Sequence, residues 1–208
     1  MLIGLTGGIA AGKSSVAAMF GDLGALLLDS DKIAHTVLHD MWEMTTGGRL
    51  VRLLDVSMPE LSDENGNLDR RKLSRLVFAD AERRKRLEEE IHPLVAAASW
   101  RMIDLARKVL PSRHIVYESA LLVEVGRHKT MDRLVVVFAD DRTRIQRLMA
   151  RNSLSEDEAK ARLAAQMPQL EKVRLADFVI DNSNSLEETS RQVAKVWEAF
   201  NAGQEEDS

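Results

Sequence analysis

The stretch Gly7-Gly8-Ile9-Ala10-Ala11-Gly12-Lys13-Ser14 has the form G-x-x-x-x-G-K-[ST], between an apolar run, Leu2 to Thr6, and a helical stretch that begins near Lys13. Few short patterns restrict a fold so far. The glycines let backbone N–H groups turn inward around phosphate oxygens, and the next helix presents its positive N-terminal end to the same charge. A strand must deliver the chain to such a loop and a helix must carry it away. Lys13 is expected at the β- and γ-phosphates. Ser14 offers its hydroxyl to Mg²⁺, a hard ion that takes oxygen ligands, so the implied cofactor is a Mg-nucleoside triphosphate.

The rest of the chain agrees with a parallel sheet. Five short apolar runs, Leu2 to Thr6, Ala25 to Leu28, His114 to Tyr117, Arg133 to Phe138 and Phe178 to Ile180, are separated by helical stretches. Between the second and third runs, Lys32 to Arg113 is too long for one crossover helix and reads as an inserted helical region where a substrate domain would sit. Inside it, Ser62 to Asn67 is a turn cluster, followed by helices expected over Asp69 to Phe78 and Glu82 to Trp100, the second broken at His92-Pro93. Ser155 and Glu158 form a capping box, which starts a helix expected to run to about Met167, ahead of Pro168. The tail 203–208 is polar and expected to fray.

Composition removes several chemistries. A chain of 208 residues fits one domain or one domain carrying an insertion, and without cysteine it has no disulfide, zinc-thiolate site or thiol nucleophile. A net charge of -4 argues against a general nucleic-acid binder. No targeting or membrane segment is evident, so a cytoplasmic location is expected; the sequence leaves the oligomeric state open, with a monomer favoured.

Ligands of an open parallel sheet bind outside the carboxyl ends of its strands, so acids just after strand runs come first. Asp29 and Asp31 follow the second run, and Glu118 follows the third. Asp31 is the candidate base or acceptor-orienting group, with helix capping as the alternative for either Asp. Glu118 is placed to hold Mg²⁺ through water. Arg144, Arg147 and Arg151 share one helix face and Arg162, Lys172 and Arg174 follow, either as a lid over the triphosphate or as a solvated surface. Arg70 stands at a helix start where it could clamp an anion. His92 is either a buried, hydrogen-bonded histidine or a substrate contact.

Taken together, Leu5 to Ile9 with Lys13-Ser14, Asp29-Ser30-Asp31-Lys32-Ile33-Ala34, Leu68-Asp69-Arg70, Ile91-His92-Pro93, Leu121 to Glu124, Arg147 through Gln166 and Ala176 to Asn182 resemble the dephospho-CoA kinase family over nearly the whole chain. The resemblance implies transfer of the ATP γ-phosphoryl to the ribose 3′-hydroxyl of dephospho-CoA, the last step of coenzyme A synthesis. It also implies an α/β P-loop NTPase fold with a five-stranded parallel sheet. Residues 1–31 and 114–202 would form the kinase core, with a small helical lid over about 147–175, and 32–113 a helical CoA-binding insertion. Asp31 then matches the proposed base. Gly8, Ala10, Ala11, Gly12, Lys13, Ser14 and Ser15 match the ATP loop, with Arg147 and Asn182 near phosphates and adenine, and Arg70 and His92 on the CoA side.

Some positions depart from the family pattern. Ala10 stands where Gly is frequent, and Ala is expected there only with a negative φ. His35 and Ala96 replace frequent arginines, and Glu118, Ala120 and Val123 replace the frequent Asp, Pro and Phe. Two competing readings are another small-molecule P-loop kinase, such as a nucleoside or nucleotide kinase, and a nucleotide switch that transfers nothing. The motifs of the insertion discriminate against the first and Asp31 against the second.

Overall fold

Parallel strands covered on both faces lose the alternation of buried and exposed residues, and every residue of the first strand, Leu2–Gly7, is buried. The computed structural model describes residues 1–43 and 48–205, with side chains to residue 202. In chain order the first elements are β1 (Leu2–Gly7), α1 (Lys13–Asp22) and β2 (Leu26–Asp29). Then come α2 (Ser30–Glu43), α3 (Gly48–Leu54), α4 (Met58–Leu61), α5 (Arg70–Ala79) and α6 (Ala81–Val109). The chain continues through β3 (Ile115–Glu118), β4 (Arg133–Phe138), α7 (Asp141–Asn152), α8 (Glu156–Ala164), α9 (Gln169–Val173), β5 (Phe178–Asp181) and α10 (Leu186–Glu205).

All five expected strands form, each within a residue or two of its apolar run, and they pair in parallel in the order β2-β3-β1-β4-β5. The fold is α/β with a five-stranded parallel sheet. β1 is central, and its register sets the level of the carboxyl edge: Glu118 of β3 lies opposite Leu5 on one side and Asp29 of β2 on the other. β1 runs two residues further, to Gly7, before the loop begins. Val16, Ala17 and Phe20 of α1 and Val193, Val196 and Phe200 of α10 close over Ile3, Leu5, Val116, Val135, Val137 and Ile180.

The chain divides into two units, Met1–Asp29 with Ala106–Ser208, and Ser30–Leu105. The second is helical. Its α2 buries Ile33, Val37, Met41 and Trp42, and the Trp42 indole donates to Gly66 O at 3.1 Å. Asp69 caps α5 by accepting Arg71 N–H at 2.8 Å, and Asp63 orders the expected turn by accepting the N–H groups of Asn65 and Asn67.

Two expectations need correction. Pro93 does not break its helix, since α6 is continuous from Ala81 to Val109 with Pro93 inside. The buried residues Leu87, Ile91, Val95, Ser99 and Ile103 recur every four residues on both sides of it, and Pro93 itself is exposed. Its lost N–H therefore falls on the solvated face, where water can reach the freed carbonyl. The helix capped by Ser155 ends at Ala164, short of Met167. α10 is assigned as far as Glu205, and residues 206–208 of the tail expected to fray lie outside the described residues.

His114, before β3, is buried against α10. Its ring stands edge-on to Trp197 at 4.9 Å, Nε2 lies 3.1 Å from Asn201 Oδ1 and Nδ1 lies 3.4 Å from the Met1 amino group. Burial, opposed by Asn201, pulls its pKa below the ordinary 6.5. A depressed folded pKa means that the unfolded chain binds the proton first. The neutral ring therefore stabilises above about pH 6.5, and that stability is lost as pH falls from there through the folded pKa. The wild-type thermal midpoint should fall over this interval more steeply than that of His114→Gln, by at most about 1.4 kcal/mol per pH unit. Parallel melting scans against pH measure it.

Candidate active site

The phosphate loop leaves β1 at Gly7 and enters α1 at Lys13. Gly12 is the N-cap in the left-handed region, φ 92°. A Cβ there would be strained and would strike Asn182 Nδ2. At Gly8 the constraint is space, because a Cβ would come within 2.6 Å of an Arg144 guanidinium nitrogen.

Side chains hold the loop through its carbonyls. Arg144 Nε donates to Ile9 O at 3.0 Å, and Arg147 Nη1 reaches Ala10 O and Ala11 O at 3.4 Å each. Asn182 Nδ2 donates to Ala11 O at 2.8 Å, and its Oδ1 accepts Thr189 Oγ1 at 2.9 Å. The Asn182 carbonyl accepts from Arg147 Nη2 at 2.9 Å. Ile9 N–H, which faces another way, donates to Gln166 Oε1 at 2.8 Å. With these carbonyls tied to α7 and to Asn182 just after β5, the N–H groups at the head of α1 are left to define an anion-binding hollow.

A cleft of about 660 Å³ opens on that hollow, lined by Ala10, Gly12, Lys13, Ser14, Ser15, Arg147, Arg151 and Asn182 among others. It is large enough for a small-molecule ligand. Lys13 Nζ donates to Gly7 O at 3.2 Å, and Ser14 Oγ to Glu118 Oε1 at 3.1 Å. The structure thus brings Lys13, Ser14, Arg147 and Asn182 to one cleft and Glu118 to its serine. Gly8 and Ala11 are in the braced loop behind it. Among the described residues no group of three or more His, Asp or Glu gathers to hold a metal. Ser14 and Glu118 are hard oxygen donors side by side, which fits an ion such as Mg²⁺ that takes one or two protein groups and completes its shell with phosphate and water.

One arginine departs from both sequence readings, whereas Arg162 and Arg174 are exposed. Arg144 is neither a solvated face nor a lid. It is buried, bonded to the loop and to Asp141 at 3.0 Å, and burial lowers its pKa against the opposing pull of Asp141. Arg147 also grips loop carbonyls while lining the cleft. Arg151 lines the cleft and donates to Asn152 Oδ1 at 3.0 Å.

In the second unit, Asp31 is exposed in the first turn of α2. Arg70 opens α5 and lies against His35, Nη1 3.2 Å from Nδ1, so the residue that departs from the family's arginine has an arginine for a neighbour. His92 is exposed, not buried as one reading held. Sequence reasoning missed Gln166, Gln169 and Thr189. Their polar atoms are committed to backbone far away in the chain or, for Thr189, to Asn182 seven residues earlier.

Comparison with known proteins agrees with this geometry. Residues 1–188 match the family model described as dephospho-CoA kinase. A dephospho-CoA kinase of Aquifex aeolicus is 42% identical over 202 residues, 94% of this chain and 95% of that one. The Symbiobacterium thermophilum enzyme of that name is 40% identical over 98% of this chain and 82% of its own. Among solved structures, dephospho-CoA kinase from Campylobacter jejuni superposes with a TM-score of 0.74 at 28% identity, covering 98% of each chain. A Thermus thermophilus protein superposes at 0.76 and 38% identity, covering 96% of this chain and 97% of that one.

One loop residue contradicts its expected conformation. Ala10 has φ 61°, in the left-handed region, where a negative value was anticipated. Its carbonyl is turned to Arg147, and the braces on either side over-determine the backbone between them. An alanine pays about 1–2 kcal/mol there, whereas glycine restores flexibility to the unfolded chain at about 0.4–1 kcal/mol. Ala10→Gly should therefore stabilise the protein by up to about 1 kcal/mol. A rise in the urea midpoint at unchanged slope would show it, and a fall would contradict it.

Proposed function

The chain belongs to the dephospho-CoA kinase family, and from that premise we propose that it transfers the γ-phosphoryl of ATP to the ribose 3′-hydroxyl of dephospho-CoA, giving coenzyme A and ADP. The observation that most supports this reading is the phosphate loop held by Arg144, Arg147, Asn182 and Gln166, with Ser14 beside Glu118 at 3.1 Å. ATP lies along the loop from Gly8 to Ser15, with Asn182 and Arg147 toward the adenine and the phosphates. Ser14 and Glu118 would hold Mg²⁺, which when bound would supply positive charge to the phosphate oxygens.

The protein's own contribution is positioning and charge. Lys13 sets the β- and γ-phosphates and stabilises the transferred group, and Arg147 adds a second cation to the same cleft. Asp31, two residues past β2, aims the acceptor hydroxyl and takes its proton late, because a loose phosphoryl-transfer transition state needs little help from a base before the bond to the leaving oxygen weakens. Arg70 and His92 bind anionic parts of dephospho-CoA in the second unit, which is the CoA-binding insertion, and the region over 147–175 is the lid. Among the described residues no helix is long and apolar enough to cross a membrane, and we read the protein as a cytoplasmic monomer.

ADP release measured with Mg-ATP and, separately, dephospho-CoA, adenosine, AMP or water tests the reaction. Release confined to dephospho-CoA, with a 3′-phosphorylated product by mass, is expected. Turnover only with a nucleoside or AMP would replace the acceptor, and none at all would favour a nucleotide switch. Lys13→Ala should abolish transfer in a folded protein. Asp31→Asn should lower kcat by roughly 10² or more with a smaller change in ATP affinity, and an unchanged kcat would remove Asp31 from its role.

A further inference from the structure

Three side chains spaced three residues apart, Gln166, Gln169 and Lys172, each reach a different loop at the carboxyl edge of the sheet. Gln166 holds Ile9 N–H of the phosphate loop. Gln169, buried, donates to Ala139 O at 2.9 Å and accepts Ala139 N–H at 3.4 Å, just after β4. Lys172 is 1% exposed, and its Nζ donates to Ala120 O at 2.8 Å and lies 2.7 Å from Glu124 Oε1.

Ala120 stands two residues beyond Glu118. Its carbonyl also accepts Thr6 Oγ1 at 3.3 Å, from the β1 residue that precedes Gly7, and Ser119 N–H donates to Leu5 O at 3.0 Å. One carbonyl therefore ties the root of the phosphate loop, the turn that follows Glu118 and α9. Stability gives no sufficient reason for a lysine here: Lys172 is buried while Glu124 keeps part of its side chain in solvent, so the ammonium carries a desolvation penalty that well-packed apolar residues of similar volume often match or better. An apolar side chain cannot donate to Ala120 O.

We infer that Lys172 is a positioning residue for phosphoryl transfer: through Ala120 and Glu124 it fixes the turn after β3 so that Glu118 faces Ser14 and the two hold the metal in register with the phosphate loop. Lys172 is not among the residues that line the cleft. The inference rests on the reading of Ser14 and Glu118 as the metal side of the site. Partners that orient a ligand are worth about 10–100-fold in metal affinity or activity.

The test uses Lys172→Met and the double variant Lys172→Met with Glu124→Met, which leaves no unpaired charge behind. Mn²⁺ binding in the presence of a nonhydrolysable ATP analogue is followed by electron paramagnetic resonance, beside thermal melting and steady-state kinetics. Both variants should bind Mn²⁺ about 10–100-fold more weakly, with a comparable fall in kcat. KM for dephospho-CoA should stay within about twofold, and the double variant should keep the wild-type melting midpoint. Wild-type Mn²⁺ affinity in either folded variant overturns the inference, as does failure of both to fold, which would assign the pair to stability alone. Glu118→Gln separates the two layers. If it binds Mn²⁺ as tightly as wild type, the metal reading itself falls, whereas a loss in Glu118→Gln without one in Lys172→Met removes only the positioning role.

Discussion

The carbonyl of Ala11 accepts the Asn182 side-chain amide at 2.8 Å, and the shape of the phosphate loop depends on that bond. Asn182 is buried and leaves no polar group idle. Its N–H donates to Phe138 O, its carbonyl accepts from Arg147 and its side-chain oxygen accepts from Thr189. One amide thereby joins the ends of β4 and β5, α10 and α7 to the loop. A neutral amide suits this place because it needs a donor on one side and an acceptor on the other. A carboxylate would set an oxygen against the Ala11 carbonyl and leave a buried acceptor unpaired, at a cost of a few kcal/mol. Close approach of that amide is also what excludes a side chain at residue 12, so the glycine and the asparagine specify each other.

Holding a loop by its carbonyls has a chemical consequence. Cations placed behind the loop pull electron density along its peptide groups and keep positive potential near the hollow without filling it. Arg144 carries this furthest, since it is buried yet bonded to Ile9 O and Asp141. Guanidinium suits the place because it stays protonated even when burial lowers its pKa, and its fixed fork satisfies two acceptors in different directions. Preorganised dipoles and charges of this kind need not reorganise when charge develops on a transferred phosphoryl group, which is where most of their catalytic value lies.

Much of this was legible in the sequence because its signals are local. A strand, a glycine-rich turn and a helix follow one another within Leu2 to Asp22, and the four other apolar runs could be read one by one. Strand order then put Glu118 level with Asp29, which no periodicity states. The braces were not legible. Gln166 meets Ile9 across 157 residues and Asn182 meets Ala11 across 171, and nothing near a glutamine or an asparagine announces a partner so distant. Pro93 misled for the opposite reason, because its local rule is strong. The stripe from Leu87 to Ile103 outweighs it, since each buried aliphatic residue contributes about 1.5–3 kcal/mol while a single proline on the wet face of a helix costs about 3 kcal/mol.

Charge shows the same contrast between whole and part. The chain is acidic overall, at -4, yet its substrates carry several phosphates, so net charge would argue for repulsion. What a phosphate meets is set within a Debye length of roughly 8–10 Å. Inside that range the cleft presents Lys13, Arg147 and Arg151, with Arg144 behind the loop. Many of the acids are spent elsewhere: Asp69, Asp80, Asp140 and Glu158 accept backbone N–H groups at helix starts, which lowers their pKa values and keeps them ionised as caps. An acidic protein can thus hold polyanions because many of its carboxylates begin helices while cations gather at α1, whose first turn carries no acid.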